Sequence, residues 1–488
     1  MEPVFPFDLQ LDRPGPGTTI THELRSRLRA AIVDGRLPAG TALPSTRQAA
    51  QALGIARNTV VAAYDLLVAE GWLLPRRAAR PVVAALSAPR AAAQARPLQP
   101  GRERADARIN PVWHTQHLQP PISPELPEFC FRLGVPDHRH FPHALWRRLS
   151  ARSLRQWSRA PFSYPPSSGL RPLREAIAGH VAFARAVVCE SRNVLVTSGS
   201  GQAFDLLARL LVMPGRTLVA VEEPGYPPVR AAFAAAGAEL VHVPVDDEGI
   251  CVDRLPDKVR VICVTPSHQC PTGVAMSMRR RAALLDFARA RGAVIVEDDY
   301  DGEFRFGGRP LDALQTLDRD ELVFYVGTFS KSLFPALRKG FIVCPAWARA
   351  SLAYAKHSCD SHGDAIAQAV LADFIAEGHL ARHVRHMQRI YAERRRVLLE
   401  GLKRELGGWL TPIPAEAGMH LAARINRPRQ AARVIAAARL CTPGAQPIAD
   451  YAALPVTQPA LSFGYGVIDA AAIPPALARL RRMLEDGS

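Results

Sequence analysis

Seven short apolar runs, NVLVTSG, RTLVAVEEPGY, AELVHVPV, VRVICVTP, GAVIVEDDY, ELVFYVGTFSK and KGFIVCP, follow one another beyond about residue 160, with amphipathic stretches between most of them. Runs of this length suit strands buried on both faces, and strands that alternate with helical stretches join in parallel through helical crossovers. The pattern predicts an α/β domain with a largely parallel sheet. Ligands of such sheets bind beyond the carboxyl ends of the strands, so the residues that follow each run are the candidates for chemistry.

NVLVTSG leads into Ser200-Gly201-Gln202 and a helical pattern through Phe204, Leu207 and Leu211. Backbone N–H groups at a helix start can hold a phosphate, although such a turn taken alone is more often only a turn, and the G-x-x-x-x-G-K-[ST] pattern is absent. LVAVEEPG is followed by Tyr226, whose ring alone reads more readily as core packing. GAVIVE ends in Asp298-Asp299-Tyr300, polar groups whose burial is costly unless something binds them, which implies a cationic partner. ELVFYVG ends in Thr328-Phe329-Ser330-Lys331, and Arg338 stands seven residues past the lysine. Lys331 is one of only five lysines, the others being Lys258, Lys339, Lys356 and Lys403. At a strand end beside two hydroxyls it is a candidate for Schiff-base chemistry, which needs an amine desolvated enough to lose its proton.

The first eighty residues keep a different period. Ile20, Leu24, Leu28 and Ile32 recur every four positions until Asp34-Gly35, which predicts an amphipathic helix. Ser45 is placed to cap a short second helix through Ala49, Ala50 and Leu53, closed by Gly54. Residues 57–70 predict a third helix with Val60, Val61, Tyr64, Leu67 and Val68 turned inward and Gly71 at its stop. Residues 72–74 and 81–83 are β-prone. This order is the layout of a winged helix-turn-helix, whose third helix enters the major groove. Its first turn carries Arg57, Asn58 and Thr59, able to pair with base edges or phosphates, and Arg47 at the start of the preceding helix would lie near the DNA backbone. A small three-helix bundle with solvated arginines is the alternative the helices alone leave open. The 61 Lys+Arg against 45 Asp+Glu, a formal charge of +16, favour a polyanionic partner, although an arginine-rich proteome would give the same excess.

At 488 residues the chain is too long for one compact core. Ala, Pro, Arg and Gln dominate residues 84–125 without a sustained apolar period, and the segment reads as a semi-extended tether. The expected division is a DNA-binding domain at 1–83, a flexible linker at 84–125 and the α/β domain at 126–488. No run of about 18 apolar residues occurs, and the start MEPVFPFDLQLD lacks the layout of a secretory signal. The eight cysteines are scattered without a C-x-x-C pair. A cytoplasmic chain with reduced thiols, no membrane partner and no metal is expected.

LRAAIVDGRLPAGTALPSTRQAAQALGIARNTVVAAYDLLVAEGWL resembles the GntR superfamily of bacterial transcription regulators. The resemblance implies double-stranded DNA as partner, with Arg47, Arg57, Asn58 and Thr59 as contacts. The wing departs from the pattern, because Arg76-Arg77-Ala78-Ala79-Arg80 stands where a glycine-containing hairpin tip is usual. Its three arginines can grip phosphates, which carry no sequence information.

The strand ends together resemble the fold-type I pyridoxal-phosphate aminotransferases. With the head in front, the chain resembles the MocR-type regulators of the GntR superfamily over almost its whole length. That resemblance implies a mostly α winged helix-turn-helix joined to an α/β PLP-dependent transferase domain of fold type I, with pyridoxal 5'-phosphate as cofactor. By motif, Lys331 of TFSKSLFPALRKG would form the internal aldimine with the cofactor aldehyde. Asp298 would pair with the protonated pyridine nitrogen and keep the ring an electron sink. Tyr300 would hydrogen-bond the phenolic oxygen, and Tyr226 would stack on the ring. The phosphate would sit among Ser200, Gly201, Gln202, Thr328, Ser330 and Arg338. A homodimer binding an operator with repeated half-sites is implied as well.

Two positions depart from the aminotransferases. Cys270 of SHQCPTG stands where an asparagine is usual, and a thiol is a weak partner for the phenolic oxygen. Ala460 of ALSF stands where an arginine usually forks onto the substrate carboxylate, so that clamp is missing unless another arginine substitutes. Both weigh toward a regulator that senses the cofactor or a condensing amine by aldimine exchange at Lys331. The alternatives are a working aminotransferase with a DNA-binding head, and a regulator whose cofactor site is vestigial.

Overall fold

The computed structural model describes residues 4–11, 19–76, 79–85, 110–114, 127, 130–159, 163–307 and 312–486. Most of the expected linker, and wing residues Arg77 and Ala78, lie outside them. The chain divides into two compact units, residues 1–104 and 105–488.

In the first unit, α1 (Ile20–Val33) is capped by Thr19, whose hydroxyl accepts from the His22 N–H. α2 (Thr46–Leu53) opens on a capping box in which Ser45 and Gln48 satisfy each other's backbone N–H groups, and closes on Gly54 with φ +64°. α3 (Arg57–Ala69) starts three residues later. β1 (Leu73–Arg76) and β2 (Ala79–Val83) form an antiparallel ribbon in which Leu73 faces Val83. The ribbon is longer than the β-prone residues suggested. The core joins Leu24, Leu28 and Ala31 to Ala49, Val60, Ala63, Tyr64 and Leu67. Two details of the expected stripes are corrected. A step of four advances about 40° around a helix, so Ile20 ends up exposed and Ile32 half-buried, and Ala31 closes the face instead. On α3, Ala63 lies inside, whereas Val61 and Val68 are only half-buried.

The second unit begins with α4 (His143–Trp157) and α5 (Arg171–Arg185) and then alternates β3 (Val194–Thr197), α6 (Ser200–Leu211), β4 (Leu218–Glu223), α7 (Pro227–Ala235), β5 (Glu239–Asp246), β6 (Gly249–Ile250), β7 (Val261–Val264), α8 (Met278–Arg291), β8 (Val294–Asp299), β9 (Val323–Thr328) and β10 (Gly340–Val343). These strands make one sheet in the order β3-β10-β9-β8-β7-β4-β5-β6. β9, β8, β7, β4 and β5 pair in parallel, and β10 is antiparallel to both of its neighbours. The amino end of β10 therefore lies at the edge where β3, β8 and β9 present their carboxyl ends. Side chains alternate: Val221, Cys263 and Val296 enter one core with Phe204 and Phe233, while Ala220, Ile262 and Ile295 enter another with Leu284 and Leu285 of α8. Burial on both faces explains why the strands read as unbroken apolar runs.

The apolar period of the sequence predicts no elements beyond residue 345. There α9 (Arg349–Asp360), α10 (Ala365–Ala376) and α11 (His379–Leu406) precede a second, antiparallel sheet of β11 (Leu410–Pro412), β12 (His420–Ile425), β13 (Gln446–Pro447) and β14 (Ala460–Gly464), with α12 (Ala431–Cys441) and α13 (Ile473–Asp486). Among the described residues no helix is long and apolar enough to cross a membrane.

Candidate functional site

Ser200, Tyr226, Asp298, Tyr300, Thr328, Ser330, Lys331 and Arg338 all line one cavity of about 400 Å³ at the carboxyl edge of the large sheet. That volume suits a small-molecule ligand. Each residue arrives there because a strand ends beside it, except Arg338, which precedes β10 and reaches the same edge because that strand runs backward.

At one end, Ser200 opens the amino terminus of α6, and the Arg338 guanidinium lies against Gly199, donating to the Ser198 carbonyl at 2.7 Å. Gly199 has φ +84°, and a Cβ there would stand 3.0 Å from the guanidinium, so a glycine is needed for the approach. The Thr328 hydroxyl donates to Ser330 Oγ at 3.0 Å and accepts the Ser330 N–H at 3.2 Å. A helix terminus, two hydroxyls and an arginine make a cradle that could take an anion.

At the other end, Asp298 is 4% exposed and its Oδ1 has no hydrogen-bond partner. Burial, with Asp299 and Asp301 nearby, holds its carboxyl well above the ordinary carboxylate range. Burial also pushes the Lys331 ammonium down. Its Nζ donates to the Gly134 carbonyl at 2.7 Å, and a Cβ on Gly134 would lie 2.7 Å from Nζ. The Tyr226 ring packs edge-on against Phe204 at 6.4 Å and also faces the cavity, so the core and ligand readings both describe it. The Tyr300 hydroxyl is 3.0 Å from Nδ1 of His268.

Three sequence-selected residues lie elsewhere. Alternation along β8 sends Asp299 to the opposite face from Asp298, where Arg185 donates to it at 2.6 Å and Tyr325 at 2.6 Å. The cation expected for this acidic group is thus internal for Asp299. Gly201 is exposed in the first turn of α6. Gln202 accepts from the Ser198 N–H at 2.8 Å and donates to Asp360 at 2.8 Å, so it braces the turn. Cys270 lines the cavity, with burial pushing its thiol up. Ala460 is buried in β14 opposite Arg424 and brings no cation, while Arg132 lines the cavity.

In the first unit Arg47, Arg57 and Asn58 are exposed and Thr59 is half-buried. Arg57 Nε donates to Thr46 Oγ1 at 3.3 Å, which ties the starts of α2 and α3 together. Arg76 and Arg80 of the ribbon are exposed.

Residues 20–80 match the gntR family of bacterial regulatory proteins, and residues 137–451 match aminotransferase class I and II. The probable rhizopine catabolism regulatory protein MocR of Rhizobium meliloti is 39% identical over 421 residues, 86% of this chain and 84% of the relative. The chain belongs to the MocR-type regulators of the GntR family. The HTH-type pyridoxine biosynthesis transcriptional regulator PdxR of Corynebacterium glutamicum is 31% identical, over 85% of each chain. The second unit of this MocR-type chain is similar to LysN, an α-aminoadipate aminotransferase of Thermus thermophilus complexed with N-(5'-phosphopyridoxyl)-L-leucine. The TM-score is 0.69 and the identity 28%, over 78% of this chain and 97% of that one. The MocR-type chain is thus a transcription regulator, built from a helix-turn-helix head and a fold-type I aminotransferase domain.

Sequence reading missed the part of the cavity wall made by Arg132, Gly134, His420, Gln446 and Tyr451. None follows a strand of the large sheet, and only the folded chain of this regulator brings them to its edge.

Proposed function

We propose that this regulator holds pyridoxal 5'-phosphate in the cavity and senses either the cofactor or an amine that displaces Lys331 from it. The observation that carries the reading is Asp298, a buried carboxylate with an unpartnered oxygen, facing the same cavity as a desolvated lysine. A buried carboxylate without a partner is costly, and a protonated pyridine nitrogen is the cation that would satisfy it. When bound, the cofactor supplies an aldehyde that condenses with primary amines and a ring that stores electrons. Lys331 would offer the amine, kept nucleophilic by burial. Ser200, Thr328, Ser330 and Arg338, with the α6 terminus, would hold the phosphate, Gly201 and Gln202 would shape that turn, and Tyr226 would cover the ring. Tyr300 would donate to the phenolic oxygen.

Arg47, Arg57, Asn58 and Thr59 would carry DNA contact, with Arg76, Arg77 and Arg80 on phosphates. The proposed division remains 1–83, 84–125 and 126–488, acting in the cytoplasm as a homodimer on repeated half-sites. Release of Lys331 on effector binding is the differential contact that would bias the regulator between two states.

An absorbance spectrum with added pyridoxal phosphate, followed by titration with primary amines and amino acids, tests the reading. A new visible band that shifts with one amine without turnover supports it and names the ligand class. A band indifferent to every amine supports the cofactor itself as signal. The absence of any band overturns it. The alternative, a working aminotransferase, draws on Arg132 as a replacement carboxylate clamp, and sustained conversion with an oxo-acid acceptor would favour it.

A further inference from the structure

Behind Tyr300 lies a buried pair that the proposed chemistry has not used. Asp301 Oδ2 is 3.0 Å and Oδ1 3.2 Å from Nδ1 of His268. The Met419 N–H donates to the same Oδ2 at 3.1 Å. His268 is 1% and Asp301 2% exposed. The imidazole is clamped in place: a Cβ on Gly418 would stand 2.0 Å from it, and the Gly418 carbonyl is held by the Tyr465 hydroxyl at 2.7 Å.

These contacts decide where the protons are. Nε2 of His268 is buried without a partner, so a hydrogen there would be an orphaned donor. Nδ1 has a carboxylate and a phenol oxygen in range, so the ring proton belongs on Nδ1 and is directed to Asp301. The Tyr300 oxygen, 3.0 Å from that same nitrogen, meets an N–H and can only accept from it. Its own proton must turn elsewhere, and Tyr300 lines the cavity. The other titratable groups around it are Asp298, Cys270, Tyr451 and Lys331. His420, whose ring centroid is 4.4 Å from that of His268, gives its Nε2 to the Pro271 carbonyl at 3.1 Å. The His268, Asp301 and His420 ligand atoms lie within 4.8 Å of one another, but two of the three groups already spend the relevant atoms on oxygen partners, so the cluster is a hydrogen-bonded one.

We infer that Asp301 and His268 are positioning residues that fix the Tyr300 hydroxyl as a hydrogen-bond donor into the cavity. The inference rests on the cofactor reading for its consequence: Tyr300 becomes an obligatory donor to the phenolic oxygen, where Cys270 cannot serve. A donor there stabilises the oxygen as an anion and weakens its hold on the neighbouring proton, which lowers the pH midpoint of the cofactor's absorbance band.

The test is a double-mutant cycle read as that midpoint. His268→Leu removes the ring N–H that the Tyr300 oxygen accepts, so the direction of the Tyr300 hydroxyl is no longer fixed. Tyr300→Phe should raise the midpoint by about one pH unit in the native protein and by clearly less in the His268→Leu background. Comparing Tyr300→Phe within each background cancels the effect of losing the imidazole itself. His268→Asn, which keeps a donor near Nδ1, should preserve the native midpoint. Equal shifts in both backgrounds would overturn the inference. Neutron diffraction from deuterium-exchanged crystals without cofactor gives a separate readout: deuterium on Nδ1 of His268 and a Tyr300 O–D aimed into the cavity support it, and deuterium on Nε2 overturns it. No band in the native protein would sink the cofactor reading while leaving the neutron result to judge the proton arrangement.

Discussion

The period of two along β8 separates Asp298 and Tyr300, which face the cavity, from Asp299, which pairs with Arg185. A sequence could show that these polar groups end an apolar strand, and it could not show that two of them face one way and one the other until the strand's position in the sheet was known. Lys331→Ala should abolish a borohydride-reducible adduct with pyridoxal phosphate while the far-ultraviolet circular dichroism stays unchanged; an adduct mapped by mass spectrometry to another lysine would contradict its role. Glu222 makes a different prediction. Burial pushes its carboxyl up to about 7, against the hydrogen bonds from Thr265 and Gln269. A raised carboxyl adds stability that is full below the unfolded value and is lost as pH rises through about 7. Urea unfolding at pH 5.5 and 8 should therefore show a loss that Glu222→Gln reduces by on the order of 2 kcal/mol.

Among the elements, the large sheet was legible because two-sided burial makes each strand a continuous apolar run, and the head was legible because Ser45, Gly54 and Gly71 punctuate its helices. The second sheet was not, since β11 and β13 are only 3 and 2 residues long, too short to show a period. The antiparallel sense of β10 was equally hidden, although it is what delivers Arg338 to the cradle. In the head, the Arg57 bond to Thr46 orients the first turn of α3. Arg57→Ala should weaken specific DNA binding by about 1–3 kcal/mol, a factor of roughly 5 to 150, without altering the cofactor spectrum. Fluorescence anisotropy on a selected DNA site checks it, and unchanged affinity would remove Arg57 from base reading.

For the whole molecule, the plan of a basic helical head and an α/β domain was visible in the change of period and composition around residues 84–125, whereas the full wall of the cavity was not. Arg132 and Gly134 come from the start of the second unit, and His420 and Gln446 from its second sheet. A ligand that fills such a cavity would touch both parts of the second unit, which would give its binding a means of favouring one arrangement over another. Coupling between sites is reciprocal, typically 1–3 kcal/mol or about 5- to 150-fold in affinity. The most direct measurement is the affinity of the full chain for a DNA site selected from a random library, with pyridoxal phosphate titrated in, for the native protein and for Lys331→Ala. The expectation is that the cofactor, alone or with an amine, changes the native affinity by about fivefold or more and leaves the variant's unchanged. An equal change in both proteins, or none in the native one, would contradict it.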